Sequence, residues 1–131
     1  MNARKQWFAV IILILLLDAV SLALSGLAAN AVSSEQNPFA VSQLFRNALL
    51  GEEVYVRGRI SEMLPEYKAK SGYNYQQFFI SDGEDSIKVF CSQKYGKADV
   101  GEGDEIVASG KFQKYYDAFE INGFCREIKV L

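Results

Sequence analysis

Residues 75–91 read YQQFFISDGEDSIKVFC, and the fold turns on how this stretch is read. From Tyr75 to Ser81 the period is two: Gln76, Phe78 and Ile80 point one way, and Tyr75, Gln77, Phe79 and Ser81 the other. Asp82-Gly-Glu-Asp85 is a turn signal. After it, Ser86 to Cys91 resumes the alternation, with Ile87, Val89 and Cys91 opposite Lys88 and Phe90. The segment therefore predicts a β-hairpin with one apolar face, which needs further strands to cover it.

Those strands are legible on both sides. Upstream, Val54 to Ile60 (VYVRGRI) places Val54, Val56, Gly58 and Ile60 on an inner face and Tyr55, Arg57, Arg59 and Ser61 on an outer one. Gly58 on the inner side predicts a close backbone approach. Leu64 to Asn74 carries Pro65, Gly72 and several charges and is expected to be a loop. Downstream, Ser92 to Gly103 has no regular period and reads as a connection. Glu105 to Phe112 reads as a fourth strand, with small residues at Ala108 and Gly110, and Tyr115-Tyr-Asp-Ala118 as a tight return. A fifth strand is expected from Phe119 to Val130, bulged at Asn122-Gly123, where the apolar parity changes from odd to even. Ahead of all strands, Phe39 to Leu50 spaces Val41, Leu44, Phe45, Ala48 and Leu49 as a short amphipathic helix, with Gly51 just beyond it.

The first thirty residues differ from the rest. Arg4 and Lys5 precede an apolar run from Trp7 to Leu17; Asp18 interrupts it, and apolar or small residues resume to Ala29. About 23 residues from Trp7 to Ala29 suffice to cross the hydrocarbon core, which predicts an anchor. The basic start, the apolar centre and the small-x-small triplet Ala29-Asn30-Ala31 equally predict a cleaved signal peptide. Either reading puts the remainder outside the cytoplasm, membrane-anchored or secreted. The expected organisation is an anchor or signal peptide over 1–31, a linker over 32–38 closed by Pro38, and one domain over 39–131.

Composition narrows the function. The 131-residue chain has no histidine, so Ser-His and Cys-His nucleophiles and the commonest metal ligand are absent. Carboxylates are plentiful, yet none pair in an apolar setting for acid and base work. A binding module is expected, not an enzyme, with no cofactor and no metal. A net charge of −2 excludes a uniformly basic coat for duplex nucleic acid, so any polyanion must be bound locally. The turn 82–85 offers oxygen ligands but not the longer spacing of a calcium loop. Cys91 and Cys125 are the only two cysteines; they can form a disulfide in an oxidising compartment or sit as two small buried hydrophobes.

Five strands, a tight central hairpin, a longer third-to-fourth link and a final hairpin are what a small OB-fold barrel requires. GEEVYVRGRI (51–60), FFISDGEDSIKVF (78–90) and VGEGDEIVASGKF (100–112) resemble the first strand, the second-to-third hairpin and the fourth strand of nucleic-acid-binding OB domains of the anticodon-binding and helicase-associated type. That resemblance implies an all-β, five-stranded OB-fold barrel behind the short helix and the N-terminal segment. A second resemblance is to the haem chaperones of cytochrome c maturation, OB barrels behind one membrane helix. Some of these use a cysteine four residues before a tyrosine, as in Cys91-Ser-Gln-Lys-Tyr95, although their motif follows the last strand.

On an OB barrel, Arg57 and Arg59 would lie outside strand one beside Tyr75, Phe79, Lys88 and Phe90. This row combines aromatic platforms with cations, as single-stranded nucleic acid needs. Tyr67, Lys68, Lys70 and Tyr73 would extend it at one rim, and Tyr115 and Tyr116 at another. The competing expectation is a protein-docking face in a membrane complex, with the arginines solvated or paired to Glu52, Glu53 or Glu62.

Overall fold

The computed structural model describes residues 31–131. Residues 1–30, and with them the expected anchor or signal peptide, lie outside the described residues. Among the described residues no helix is long and apolar enough to cross a membrane.

The elements are β1 (Phe39–Ala40), α1 (Val41–Asn47), β2 (Glu53–Lys68), β3 (Asn74–Ser81), β4 (Ser86–Ser92), β5 (Glu105–Tyr115), β6 (Ala118–Phe124), a 3-10 turn (Cys125–Glu127) and β7 (Lys129–Val130). The sheet order is β1-β2-β3-β4-β6-β5-β7, and β2 also pairs with β5. The pairings of β2, β3, β4, β6 and β5 thus close into a ring. The two longest strands, β2 and β5, make this closure by changing ring partner along their length. The first half of β2 pairs with β5, from Glu53↔Lys111 to Arg59↔Glu105. Its second half pairs with β3, from Arg59↔Ser81 to Lys68↔Asn74. In turn β5 leaves β2 at Lys111 and continues against β6, Lys111↔Asn122 to Tyr115↔Ala118.

The expected loop over Leu64 to Asn74 is therefore mostly strand. β2 runs on to Lys68 and absorbs two register shifts, at Ile60/Glu62 and Leu64/Tyr67. Pro65 falls inside the second, where its missing N–H leaves no gap in the ladder. The last strand is also cut differently. β6 keeps an unbroken parallel register with β4 from Lys88↔Glu120 through Cys91↔Gly123 to Ser92↔Phe124, so there is no bulge at Asn122-Gly123. The interruption comes at Cys125–Glu127, where the chain turns and returns as β7 against the start of β5. The parity change noted in the sequence reflects this turn.

Gly123 has a different purpose. A Cβ there would overlap the Ser109 carbonyl oxygen, and a Cβ on Gly110 would overlap the Asn122 carbonyl. The β5 and β6 backbones cross in contact at the point where β5 changes partner, and only glycine fits on either side. Gly58 is close-packed as its inner position predicts: an added Cβ would stand 3.1 Å from Ile80 Cβ.

The inward row follows the sequence alternation. Val54, Val56, Ile60, Phe78, Ile80, Ile87, Val89, Ile106, Ala108, Phe112 and Ile121 are buried together with Val41 and Leu44. Removing a fully buried side chain such as Phe78 from water contributes roughly 2–3 kcal/mol. The helix is shorter than expected. Ala40 caps it, its N–H donating to Gln43 Oε1, and it ends at Asn47. Val41 and Leu44 face the core, whereas Leu49 is 71% exposed, since the backbone at Ala48 is already extended.

Two polar residues pin the connections. Gln76 is buried, and its amide donates to the Ala98 carbonyl (2.9 Å) and accepts from the Ala98 N–H (2.7 Å). This holds the irregular β4–β5 connection over the end of the core, satisfying a buried backbone that no strand pairs. In the expected tether, Ser33 is packed down and its hydroxyl accepts from the Tyr55 N–H at 2.9 Å.

Candidate nucleic-acid interface

On the outer side of the β3–β4 hairpin the alternation sets Gln77 opposite Phe90 and Phe79 opposite Lys88. Tyr75 faces Ser92, and its ring reaches diagonally to Phe90, a distance aromatic side chains can span. The two rings stack with centroids 4.4 Å apart and planes 9° from parallel. Because β2 continues past its expected end, Tyr67 lands beside Tyr75 and joins the cluster, 5.8 Å from Phe90 and 6.4 Å from Tyr75. Lys88 Nζ lies 5.6 Å from the Phe90 ring centre, a cation–π contact contributing about 0.5–1 kcal/mol at such a site.

The structure thus brings together Tyr67, Tyr75, Lys88 and Phe90, with Phe79 adjoining Lys88. Lys68 ends β2, and Lys70 and Tyr73 lie in the turn that follows, at the same rim. Lys94, which the sequence pattern does not single out, reaches this rim from beyond β4, its Nζ 5.7 Å from the Tyr73 ring and 5.4 Å from that of Tyr95.

Arg57 and Arg59 are placed elsewhere. Arg57 donates to Glu105 Oε2 at 3.0 Å, a partner different from the three glutamates expected, and this hydrogen bond with the accompanying charge holds the Glu105 carboxyl below its usual range. Arg59 stands opposite Ser81, six residues along β3 from Tyr75, or roughly 20 Å at about 3.3 Å per residue. Both line a separate concavity of about 690 Å³ that includes Asp82, Gln43 and Glu105. The single row expected from alternation is divided because the part of β2 that carries both arginines lies against β5, whereas Tyr67 lies in the part paired with β3, so the two groups line different concavities.

Residues missed by the sequence pattern complete the aromatic side. A recess of about 350 Å³ opens between Tyr67 and Tyr115, floored by Lys88, Phe90, Glu120 and Asn122. Gln113 Nε2 donates to Glu120 Oε1 at 2.7 Å. The Tyr115 phenol is pushed up, first by the neighbouring Tyr116, then by burial, with Tyr67 and Glu120 adding to it. The outward parity of Glu120 and Asn122 was available from Phe119 and Ile121; the parallel β4–β6 pairing that sets them beside Lys88 and Phe90 was not.

Cys91 and Cys125 are joined in a disulfide, both buried, with Cα atoms 4.9 Å apart. The sulfur of Cys91 is therefore engaged, and Cys91-Ser-Gln-Lys-Tyr95 offers no free thiol to a haem; Tyr95 packs on Phe124 at 5.1 Å.

No protein-family model matches the sequence, and no curated protein matches it. Solved structures do. The second OB-fold domain of replication protein A from Methanococcus maripaludis is 19% identical, with 65% of this chain and 89% of that one covered at a TM-score of 0.53. The replication factor A related protein from Methanobacterium thermoautotrophicum is 17% identical, covering 65% and 86% at 0.54. The hypothetical protein ygiW from E. coli is 16% identical, covering 77% and 97% at 0.54. At these identities the likeness shows the fold alone, and that fold is the OB type.

Proposed function

We propose that this protein is a binding module, not an enzyme, that holds single-stranded nucleic acid weakly and with little overall sequence preference. The observation that carries the reading is the Tyr67, Tyr75 and Phe90 cluster with Lys88 over Phe90. Half-exposed rings on an outer sheet face cost free energy unless something stacks on them, and bases stack on any aromatic face irrespective of sequence. The cluster lies on the hairpin of the second and third strands of the closed ring, which we read as a five-stranded barrel. That face, with the loops beside it, is where OB folds take oligonucleotides. Lys68, Lys70 and Lys94 at the rim supply phosphate contacts despite the acidic total charge, because the site is local. The replication-protein domains of like fold support this reading. We further propose that the domain works outside the cytoplasm, held by or released from its N-terminal segment; the buried disulfide supports an oxidising compartment.

The test is fluorescence anisotropy of labelled single-stranded DNA and RNA with the full chain, at low and physiological salt. Binding that falls steeply with salt supports the reading. No binding even at low salt overturns it and directs the search to protein partners in the membrane.

A further inference from the structure

Glu120 does not fit a merely stacking surface. It is 5% exposed, although it belongs to the outer side of β6. Its Oε1 accepts one hydrogen bond, from Gln113. Among the described residues no group donates to Oε2, and no ion pair forms with Lys88, directly opposite on β4. Among the described residues the only fully enclosed side-chain polar atom without a partner is Gln93 Nε2, so Oε2 of this otherwise packed carboxylate keeps an opening and is free to accept from a further donor. The open oxygen belongs to a residue lining the 350 Å³ recess, a volume within the range of small-molecule sites of about 300–1,000 Å³. The rings of Tyr67 and Tyr115 stand at its rim, 51% and 59% exposed.

We infer that the recess takes one unstacked nucleobase and that Glu120 with Lys88 makes it prefer guanine. This rests on the nucleic-acid reading above and deepens it. Guanine presents an acceptor, O6, beside two adjacent donors, N1–H and the N2 amine. A carboxylate with a free oxygen accepts from those donors, and an ammonium opposite it donates to O6. No other common base matches. Thymine and uracil flank one donor with two acceptors; cytosine offers one amine and two acceptors; adenine turns its N1 lone pair toward the carboxylate. Tyr67 and Tyr115 supply ring faces for stacking, which is sequence-tolerant, so the preference is confined to one position of a bound strand.

The experiment measures anisotropy of short oligothymidines carrying one central guanine, hypoxanthine, adenine or cytosine, on the full chain. The guanine oligomer binds about ten-fold tighter than all-thymine, and replacing guanine by hypoxanthine, which lacks only the N2 amine, loses most of that gain. With Glu120→Gln the guanine-to-thymine ratio falls to about one. Equal binding of all oligomers, or a guanine preference that survives Glu120→Gln, overturns the inference while leaving the stacking reading in place. Failure of every oligomer to bind removes that reading as well. The hypoxanthine comparison uses the unmutated protein, so it decides even if the variant fails to fold.

Discussion

Asp82, in the β3–β4 turn, accepts hydrogen bonds on Oδ2 from both the backbone N–H (2.8 Å) and the hydroxyl (2.6 Å) of Ser42, 40 residues earlier in the first turn of α1. Its Oδ1 accepts from the Glu84 and Asp85 N–H groups at 2.9 and 2.8 Å. One carboxylate thus closes the hairpin turn and fastens the helix to it. Burial pushes this carboxyl upward, but the Ser42 hydroxyl and the Asp85, Ser42 and Glu84 amides outweigh it and hold it well below the usual range.

The sign of the pH effect follows. The folded-state affinity for a proton is depressed, so the stabilisation is fully present above the unfolded-state value near 3.9 and is lost as pH falls below it. Asp82→Asn should cost about 1–3 kcal/mol at neutral pH, as expected for hydrogen bonds to a charged group. Melting temperatures of wild type and variant, measured from neutral pH downward, should stay separated until about pH 4 and then converge. Parallel curves across the whole range would show that the carboxylate charge contributes nothing.

A second expectation concerns the disulfide. Cys91 lies in β4 and Cys125 just past β6, separated by 34 residues, so the bond ties the parallel β4–β6 pair at one end. Closing a loop of that length removes unfolded-state entropy amounting to about 4 kcal/mol in the simplest account. Thermal melts with and without reductant should differ accordingly, and Cys125→Ser should match the reduced protein. A native mass showing two free thiols would contradict the pairing.

The crossing of β5 and β6 gives a contrast between glycines. Gly123→Ala forces a methyl into the Ser109 carbonyl and should destabilise by about 2 kcal/mol or more, because backbone on both sides must move. Gly101→Ala, with open space around its Cβ position, should be neutral within about 0.5 kcal/mol. Denaturant midpoints of the two variants suffice. Equal, small effects would mean that the strands slide apart freely.

How far the sequence reveals this molecule depends on the range of the interaction concerned. The alternation in Val54–Ile60, Tyr75–Ser81 and Ser86–Cys91 is local, and the buried rows follow it residue for residue. Pro65 and Gly72 suggest a loop, but the register shifts that let β2 continue through Pro65 depend on β3 lying alongside. The same is true of Gly123, whose role requires knowing that Ser109 is its neighbour. At the candidate site, Tyr75, Phe90 and Lys88 were legible because they share one hairpin. Glu120 was not grouped with them, and Tyr115 was expected only at a separate rim with Tyr116, because the parallel β4–β6 pairing has no short-range signature; Arg57 was expected in the same row because Glu105 reaches it only through the β2–β5 pairing.

That division predicts how substitutions will sort in a binding experiment. If single strands stack on the hairpin, Phe90→Ala should weaken binding by about 1–3 kcal/mol, roughly thirty-fold in Kd at the middle of that range, since it removes one platform and unseats Tyr75. Lys94→Ala should weaken binding less and flatten the salt dependence by about 0.7 in log–log slope, as loss of one phosphate contact does for single strands. Arg57→Ala should leave both affinity and slope unchanged, because its guanidinium is committed to Glu105 in the other concavity. A loss with Arg57→Ala equal to that with Phe90→Ala would instead mean that the strand runs the length of β2, past Arg59, and joins the two concavities into one path.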